Sequence, residues 1–282
     1  MSAIDGIRHV TQGIRKRAAD WRVVVFLLAF LSGVMPASTA SADVEMTWNS
    51  AQIALPGSVF GGLPVLGQWR ERRVQKAVAS LSPETKLPAI IFLHGCAGIG
   101  SEEEAAKLLF LENGYAVFVP DSFARTGRRS TCRTDSFTAT PTPQVNPYRQ
   151  EEIAFAVEQV RAQPWIDPEK VIAVGFSEGG MALARYPKPG LAAAIITAWH
   201  CHGVGDYYGL KLPPSVPVLA IIGNEDPWYA ALKDKHCGLL FNGRAGSESI
   251  VLPDNGHNVM NSSNVANVEY SKSAILDFIQ RF

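Results

Sequence analysis

Short continuous apolar runs alternate along the chain with segments whose apolar residues recur at helical spacing. An uninterrupted run is typical of a parallel strand covered on both faces, whereas a stripe at every third or fourth position indicates a helix. Strands are predicted within 87–95 and 115–120 and at 171–174, 192–198, 216–222 and 249–252, and helices at 102–111, 150–161, 181–185 and 271–281. This alternation predicts an α/β fold: a mostly parallel central sheet with helices on both faces.

Two segments interrupt the alternation. Residues 44–69 contain several prolines and glycines and predict a strand or hairpin region, and residues 121–146 predict a long polar loop. Nothing after Asp43 marks a linker, and no helical insertion is long enough for a large lid. One domain is therefore predicted over residues 43–282.

The first 42 residues have the pattern of an export signal. Basic residues precede the apolar stretch VVVFLLAFLSGVM (23–35), and Ala40 and Ala42 give an A-x-A cleavage pattern before Asp43. The apolar stretch is shorter than the roughly 20 residues of a membrane span. We therefore predict a signal peptide over 1–42, cleaved after Ala42, and a periplasmic or secreted protein; the alternative is an uncleaved N-terminal anchor.

Charge excludes one class of partner. The chain has 26 basic and 26 acidic side chains and a formal net charge of zero, so it lacks the basic excess of nucleic-acid-binding domains. We expect no nucleic-acid partner.

The segment VIAVGFSEGG (171–180) joins a predicted strand to a predicted helix through a very short turn. Ser177 stands at the apex, with Gly175 two residues before it and Gly179 two residues after it. Small residues at these positions let the strand and the helix approach closely, while the serine hydroxyl projects above the sheet. The pattern predicts that Ser177 is a nucleophile.

A serine nucleophile needs a base and a carboxylate that orients the base. Asp226 follows the strand at 216–222 and His257 follows the strand at 249–252, so both belong at the same edge of the sheet as Ser177. The order Ser177, Asp226, His257 is that of α/β-hydrolases. The competing carboxylates are Glu225 and Asp206, and the competing imidazoles are those of His94, His200, His202 and His236.

Several motifs together resemble one family. HGCAG (94–98), PDSF (120–123), IDPEKVIAVGFSEGG (166–180), GNED (223–226) and GH (256–257) occur in the order found in the dienelactone hydrolase-like family of α/β-hydrolases. The resemblance covers about residues 87–282 and implies a hydrolase of small esters or lactones that needs no cofactor and no metal. Founding members carry cysteine at the turn, so Ser177 favours an ordinary serine esterase.

The resemblance also implies an oxyanion hole. The backbone N–H of Glu178 opens the helix after the nucleophile, and the loop after the strand within 87–95 supplies a second N–H, most simply that of Cys96. Distortion of HGCAG is therefore expected to lower turnover.

Four cysteines in an exported chain predict two disulfides, with three possible pairings. In the fold that the resemblance implies, Cys96 and Cys132 follow neighbouring strands, as do Cys201 and Cys237, which predicts these two pairs. The alternative is a metal cluster formed by HCH (200–202) and HC (236–237), whose spacing fits no common zinc pattern.

Four side chains are candidates for binding substrate. Arg125 and Arg128 lie in an arginine-rich loop and would bind a substrate carboxylate, unless they are simply solvated. Trp199 and Trp228, with Tyr229, follow strands at the same edge and would line an acyl subsite, unless they belong to the core.

The resulting prediction is an exported serine hydrolase that cleaves a small carboxylic ester or lactone through an acyl-enzyme. The alternatives are a serine peptidase of the oligopeptidase type, disfavoured because no gating domain is present, and a secreted binding module that keeps the fold without catalysis.

Overall fold

A computed structural model of the protein describes residues 39–140, 142–232 and 234–282. Six helices and ten strands are assigned within them. The helices are α1 (Thr39–Asn49), α2 (Arg72–Ala79), α3 (Ser101–Glu112), α4 (Val145–Arg161), α5 (Glu178–Ala184) and α6 (Val265–Ile279). The strands are β1 (Gln52–Leu55), β2 (Val65–Gln68), β3 (Leu87–Leu93), β4 (Ala116–Val119), β5 (Cys132–Arg133), β6 (Thr138–Ala139), β7 (Ile166–Phe176), β8 (Ala193–Thr197), β9 (Val218–Gly223) and β10 (Glu248–Leu252).

Eight of the strands form one sheet in the order β10-β9-β8-β7-β3-β4-β1-β2. Neighbouring strands from β10 to β4 are parallel, whereas β1 pairs antiparallel with both β4 and β2. The short strands β5 and β6 form a separate two-stranded ribbon in the loop between β4 and α4. The predicted mostly parallel sheet of an α/β-hydrolase is confirmed.

Alternate residues of β3 show how the sheet divides the core. Ile91 faces a cluster that includes Ile153 of α4, whereas Ile90 faces a second cluster that includes Phe110 of α3 and Phe278 of α6. All of these side chains are buried. A strand buried on both faces needs apolar residues at every position, which explains the uninterrupted apolar runs.

The structure differs from the predicted elements mainly at helix starts. Residues 44–49, predicted as strand or hairpin, belong to α1, and α2 was not predicted. Helix α4 begins at Val145 rather than 150, because Pro147 lies in its first turn, where a missing N–H costs no helical hydrogen bond. Helix α6 begins at Val265 rather than 271, after Asn264, whose side chain accepts a hydrogen bond from the Asn267 N–H.

The predicted signal peptide falls almost entirely outside the described residues; its last four residues, 39–42, form the start of α1. No helix in the described part of the chain is long and apolar enough to cross a membrane.

Candidate active site

Ser177 occupies a strained turn between β7 and α5. Its φ is 54°, in the left-handed region that residues with a side chain rarely adopt. Only glycine fits at the neighbouring positions 175 and 179. A Cβ on Gly179 would lie 2.0 Å from the carbonyl oxygen of Leu93, and a Cβ on Gly175 would lie 2.4 Å from the carbonyl oxygen of Gly179. The chain therefore turns as tightly as the sequence predicts.

Three side chains from different elements form a hydrogen-bonded chain above the carboxyl edge of the sheet. The Nε2 atom of His257 lies 2.9 Å from Oγ of Ser177, and its Nδ1 atom lies 2.6 Å from Oδ2 of Asp226. Asp226 follows β9, and His257 follows β10. The structure thus brings together the predicted nucleophile, base and carboxylate.

The partners of the imidazole determine which of its two nitrogens carries the proton in the neutral ring. Because the Asp226 carboxylate can only accept, Nδ1 of His257 carries the proton, and Nε2 of the neutral ring is left to accept the serine O–H. The other oxygen of Asp226 accepts the backbone N–H of Trp228 at 3.0 Å. An imidazole held in this way can take the proton of Ser177 while the buried carboxylate stabilises the cation that forms.

None of the competing residues takes these positions. His94 is fully buried: its Nε2 accepts the Ser122 N–H, so its Nδ1 donates to the Gly95 carbonyl oxygen. Burial, followed by the charge of Arg149, lowers the pKa of His94 well below 6.5, so this ring is neutral. Burial also lowers the pKa of His200 to about 4. The competing carboxylates Glu225 and Asp206 are exposed.

The backbone N–H groups of Glu178 and Cys96 are the predicted oxyanion donors. Glu178 is the first residue of α5, and Cys96 lies in the loop after β3. Neither N–H has a hydrogen-bond acceptor among the described residues. Both are therefore available to a negatively charged oxygen.

Two buried carboxylates in the first turn of α3, Glu102 and Glu103, were not predicted from the sequence as part of the site. Glu103 accepts hydrogen bonds from the N–H groups of Gly100 at 2.8 Å and Gly95 at 3.3 Å, which fixes the loop that contains Cys96. Glu102 accepts three N–H groups from residues 259–261, a segment that begins two residues after His257. The acidic first turn is visible in the sequence, but there it indicates only an interaction with the helix dipole, because the pattern does not show which loops those carboxylates bind.

Both predicted disulfides are present, Cys96–Cys132 and Cys201–Cys237, which confirms the pairing. The first joins the loop after β3 to β5. The second lies in the buried core. Because Cys237 is bonded to Cys201, it is not a metal ligand, and no group of three potential metal-ligating side chains occurs within residues 39–140, 142–232 and 234–282.

The two arginines predicted to bind substrate are engaged by the protein itself. Arg125 is buried, with its guanidinium 3.0 Å from the Asp43 carboxylate and 2.6 Å from that of Glu151. Arg128 is buried against the Glu178 carboxylate. Arg128 borders a separate groove of about 490 Å³, and neither arginine lines the cavity beside Ser177. The geometry thus gives no support to a substrate-binding role for either guanidinium, because each already has protein carboxylates as partners.

A cavity of about 300 Å³ opens beside Ser177. Its lining includes Ser177 and His257 together with the aromatic side chains of Trp228, Phe137 and Phe176. Trp228 thus lies where the sequence predicts. Trp199 does not line this cavity: it is buried in the core and contacts the ring of Tyr229.

Comparison with known proteins identifies relatives of the chain. A family model described as the dienelactone hydrolase family matches residues 76–282. The chain is 28% identical over 178 residues to "Putative esterase NocK" of Nocardia uniformis subsp. tsuyamanensis, with 58% of this chain and 47% of that protein covered. The chain thus spans about half the length of this curated relative.

Two solved structures have a similar fold. "Putative Dienelactone Hydrolase" from Klebsiella pneumoniae subsp. pneumoniae MGH 78578 has a TM-score of 0.51 at 16% identity, with 71% of this chain and 89% of that chain covered. The dienelactone hydrolase-like promiscuous phosphotriesterase P91 from metagenomic libraries has a TM-score of 0.52 at 16% identity, with 82% and 97% covered. At such low identity these structures show a shared α/β-hydrolase fold alone. The family model covers most of the chain, including Ser177, Asp226 and His257, and the chain therefore belongs to the dienelactone hydrolase family.

Proposed function

We propose that the protein is a serine hydrolase that cleaves small carboxylic esters or lactones through an acyl-enzyme. One observation carries the proposal: the hydrogen-bonded chain from Ser177 through His257 to Asp226 stands at the edge of the cavity. Membership of the dienelactone hydrolase family supports ester bonds as the target. The volume of about 300 Å³ suits a small acyl group.

The reaction begins when Ser177 Oγ attacks the ester carbonyl carbon as His257 Nε2 takes its proton. The oxyanion of the tetrahedral intermediate accepts hydrogen bonds from the N–H groups of Glu178 and Cys96. Collapse of the intermediate breaks the bond to the alcohol, and His257 returns the proton to the departing oxygen. Water, deprotonated by the same imidazole, then releases the acyl group as the acid and restores the serine.

The cavity favours an apolar substrate. The ring of Trp228 lies 5.5 Å from that of His257, and Phe176 and Phe137 complete an aromatic wall. The partner is therefore a small ester with an aliphatic or aromatic acyl group. Nothing in this wall offers a cation to a substrate carboxylate.

The proposal includes export of the chain, with residues 1–42 removed after Ala42. Two disulfides support an oxidising compartment, such as the periplasm or the medium. Mass spectrometry of the N-terminal peptide of the protein recovered from its host tests this part, because cleavage after Ala42 leaves Asp43 as the first residue.

Labelling with a fluorophosphonate probe tests the chemistry. We expect one adduct, on the peptide that contains Ser177, and no adduct in Ser177→Ala. A panel of aliphatic and aromatic esters, with and without a carboxylate on the acyl group, then defines the substrate class. No adduct on Ser177 would instead indicate a binding module, and an adduct with turnover of peptides but not of esters would indicate a peptidase.

A further inference from the structure

The first turn of α3 carries three successive glutamates in very different environments. Glu102 and Glu103 are 2% and 1% exposed, whereas Glu104 is exposed and pairs with Lys107 at 2.7 Å. Burying a carboxylate is costly unless several donors satisfy it. The hydrogen-bond donors around Glu102 and Glu103 therefore show which loops these two carboxylates hold in place.

Glu102 holds the segment that follows His257. Its Oε1 atom accepts the N–H groups of Val259 at 3.0 Å and Met260 at 2.8 Å, and its Oε2 atom accepts that of Asn261 at 2.9 Å. These donors lie 157 to 159 residues away along the chain. A single side chain thus satisfies three consecutive amides of one loop.

The segment that precedes His257 is fixed independently. The carbonyl oxygen of Asn255 accepts the N–H of Glu225 at 2.9 Å, and the close approach of Gly223 to Asn255 leaves no room for a Cβ. The backbone around His257 is therefore attached to the loop after β9 on one side and to Glu102 on the other. If the attachment to Glu102 were lost, three consecutive backbone N–H groups would lose their acceptor, and the segment would be held only by the hydrogen bond from the Asn255 side chain to the Asn258 carbonyl oxygen and by the burial of Val259 and Met260.

We propose that Glu102 is a positioning residue that keeps the imidazole of His257 between Ser177 and Asp226. This inference rests on the proposed function, because it takes His257 to be the base. Glu102 is not a catalytic residue here; its carboxylate acts on the loop, and the loop orients the ring.

A carboxyl group suits this place better than an amide, because both of its oxygens accept hydrogen bonds here. Three convergent N–H groups need two acceptor oxygens, and a glutamine offers one oxygen and an NH2 group that would face a donor. A buried amide without an acceptor is destabilising. Because burial raises the pKa of Glu102 to about 7, the group is ionised above that pH, and an ionised acceptor makes stronger hydrogen bonds, which narrows the range of loop positions.

The test compares Glu102→Gln with Glu104→Gln, a matched control that removes the exposed carboxylate of the same helical turn. Each protein is assayed with an alkyl ester and a p-nitrophenyl ester of the same acyl group. Nitrophenolate departs without help, whereas an alkoxide needs the proton of His257. A displaced imidazole should therefore slow the hydrolysis of the alkyl ester more than that of the p-nitrophenyl ester.

We expect Glu102→Gln to lower kcat/KM by about 100-fold on the alkyl ester and by about tenfold on the p-nitrophenyl ester, with Glu104→Gln at the wild-type rate on both. Equal losses on the two esters, or no loss, would overturn the inference. If Glu102→Gln does not fold, Glu102→Asp must show the same larger loss of kcat/KM on the alkyl ester than on the p-nitrophenyl ester. If neither variant folds, the role of Glu102 is structural and the inference fails.

The same assays separate this inference from the proposed function. A wild-type protein that hydrolyses neither ester and gives no fluorophosphonate adduct overturns both. If the wild-type protein is active and Glu102→Gln loses the same factor of kcat/KM on both esters, only the positioning role of Glu102 is overturned.

Discussion

The carboxylate of Glu178 forms a buried ion pair with the guanidinium of Arg128, and its other oxygen accepts the Thr131 hydroxyl at 2.7 Å. The residue after Ser177 is thereby attached to the loop that continues to Cys132. Because Glu178 also supplies a proposed oxyanion donor from its backbone, the ion pair connects that donor to the loop carrying the Cys96–Cys132 disulfide.

Removing one partner of this pair should destabilise the fold. Arg128→Met removes the nearer cation of the buried Glu178 carboxylate and leaves only the guanidinium of Arg149, 3.9 Å away, so we expect the free energy of unfolding to fall by up to about 3 to 5 kcal/mol. The double variant Arg128→Met with Glu178→Gln should recover part of this loss, since neither charge is then left alone. Arg129→Met, which removes a neighbouring exposed arginine, is the control. Similar denaturation curves for the Arg128 and Arg129 variants would show that the ion pair contributes little to the free energy of unfolding.

The two disulfides allow a matched comparison, because each joins cysteines 36 residues apart. In the chain-entropy model, equal loops give equal stabilisation, about 2 to 4 kcal/mol each. Replacing either pair with alanine should lower stability by this amount. Only the Cys96→Ala and Cys132→Ala variant should also lower kcat of the folded enzyme, by about tenfold or more, because Cys96 carries a proposed oxyanion donor.

Esterase assays, corrected for the folded fraction measured by circular dichroism, test the difference between the two disulfides. The expected result is normal turnover per folded molecule when the buried Cys201–Cys237 pair is replaced. Equal turnover in the two double variants would exclude a role of the first disulfide in holding the oxyanion loop.

Asp226 should be essential for the rate but not for the fold. An asparagine at 226 can donate an N–H to Nδ1 of His257, which moves the ring proton to Nε2 and leaves no acceptor for the serine O–H. We expect Asp226→Asn to lower kcat/KM about a thousandfold or more, because an imidazole held in the wrong tautomer cannot act as the base. Glu225→Gln, next to it and exposed, is the control. A near-normal rate for Asp226→Asn would assign the acid elsewhere.

Local patterns were enough to predict the sheet and the relative placement of the three site residues. Strands such as β3 are buried on both faces, so their apolar runs are continuous. The carboxyl ends of parallel strands meet at one edge, so Ser177, Asp226 and His257 were expected to lie together. The glycines around Ser177 predicted a tight turn. The structure confirms the steric reason, because a Cβ on Gly179 would lie only 2.0 Å from the carbonyl oxygen of Leu93.

The partners of charged side chains were not predictable from local patterns. Arg125 and Arg128 have the sequence environment of loop residues, and only the packing of α4 and α5 brings carboxylates to them. Glu102 is likewise separated by 157 residues or more from the amides it binds. Several acidic residues could pair with each of these arginines by chemistry alone. Which residue does so depends on the three-dimensional arrangement of the chain.

Burial raises the pKa of Glu102 from 4.5 to about 7 although its three backbone N–H donors act in the opposite direction, and the nearby Glu103 adds a smaller upward effect. Because the folded chain then binds the proton more tightly than the unfolded chain, the contribution of Glu102 to stability is fully present below pH 4.5. It is lost as the pH rises through about 7.

Glutamine at position 102 does not titrate, so the difference in unfolding free energy between the wild-type protein and Glu102→Gln should depend on pH. Between about pH 5 and pH 8 the difference should move by about 2 to 3 kcal/mol in favour of the variant, since only the wild-type protein must bury a charge at high pH. Denaturant unfolding at several pH values measures this change, with Glu104→Gln expected to follow the wild-type curve. Parallel curves for the wild-type protein and Glu102→Gln would mean that the carboxyl titrates normally, because its three N–H donors then outweigh its burial.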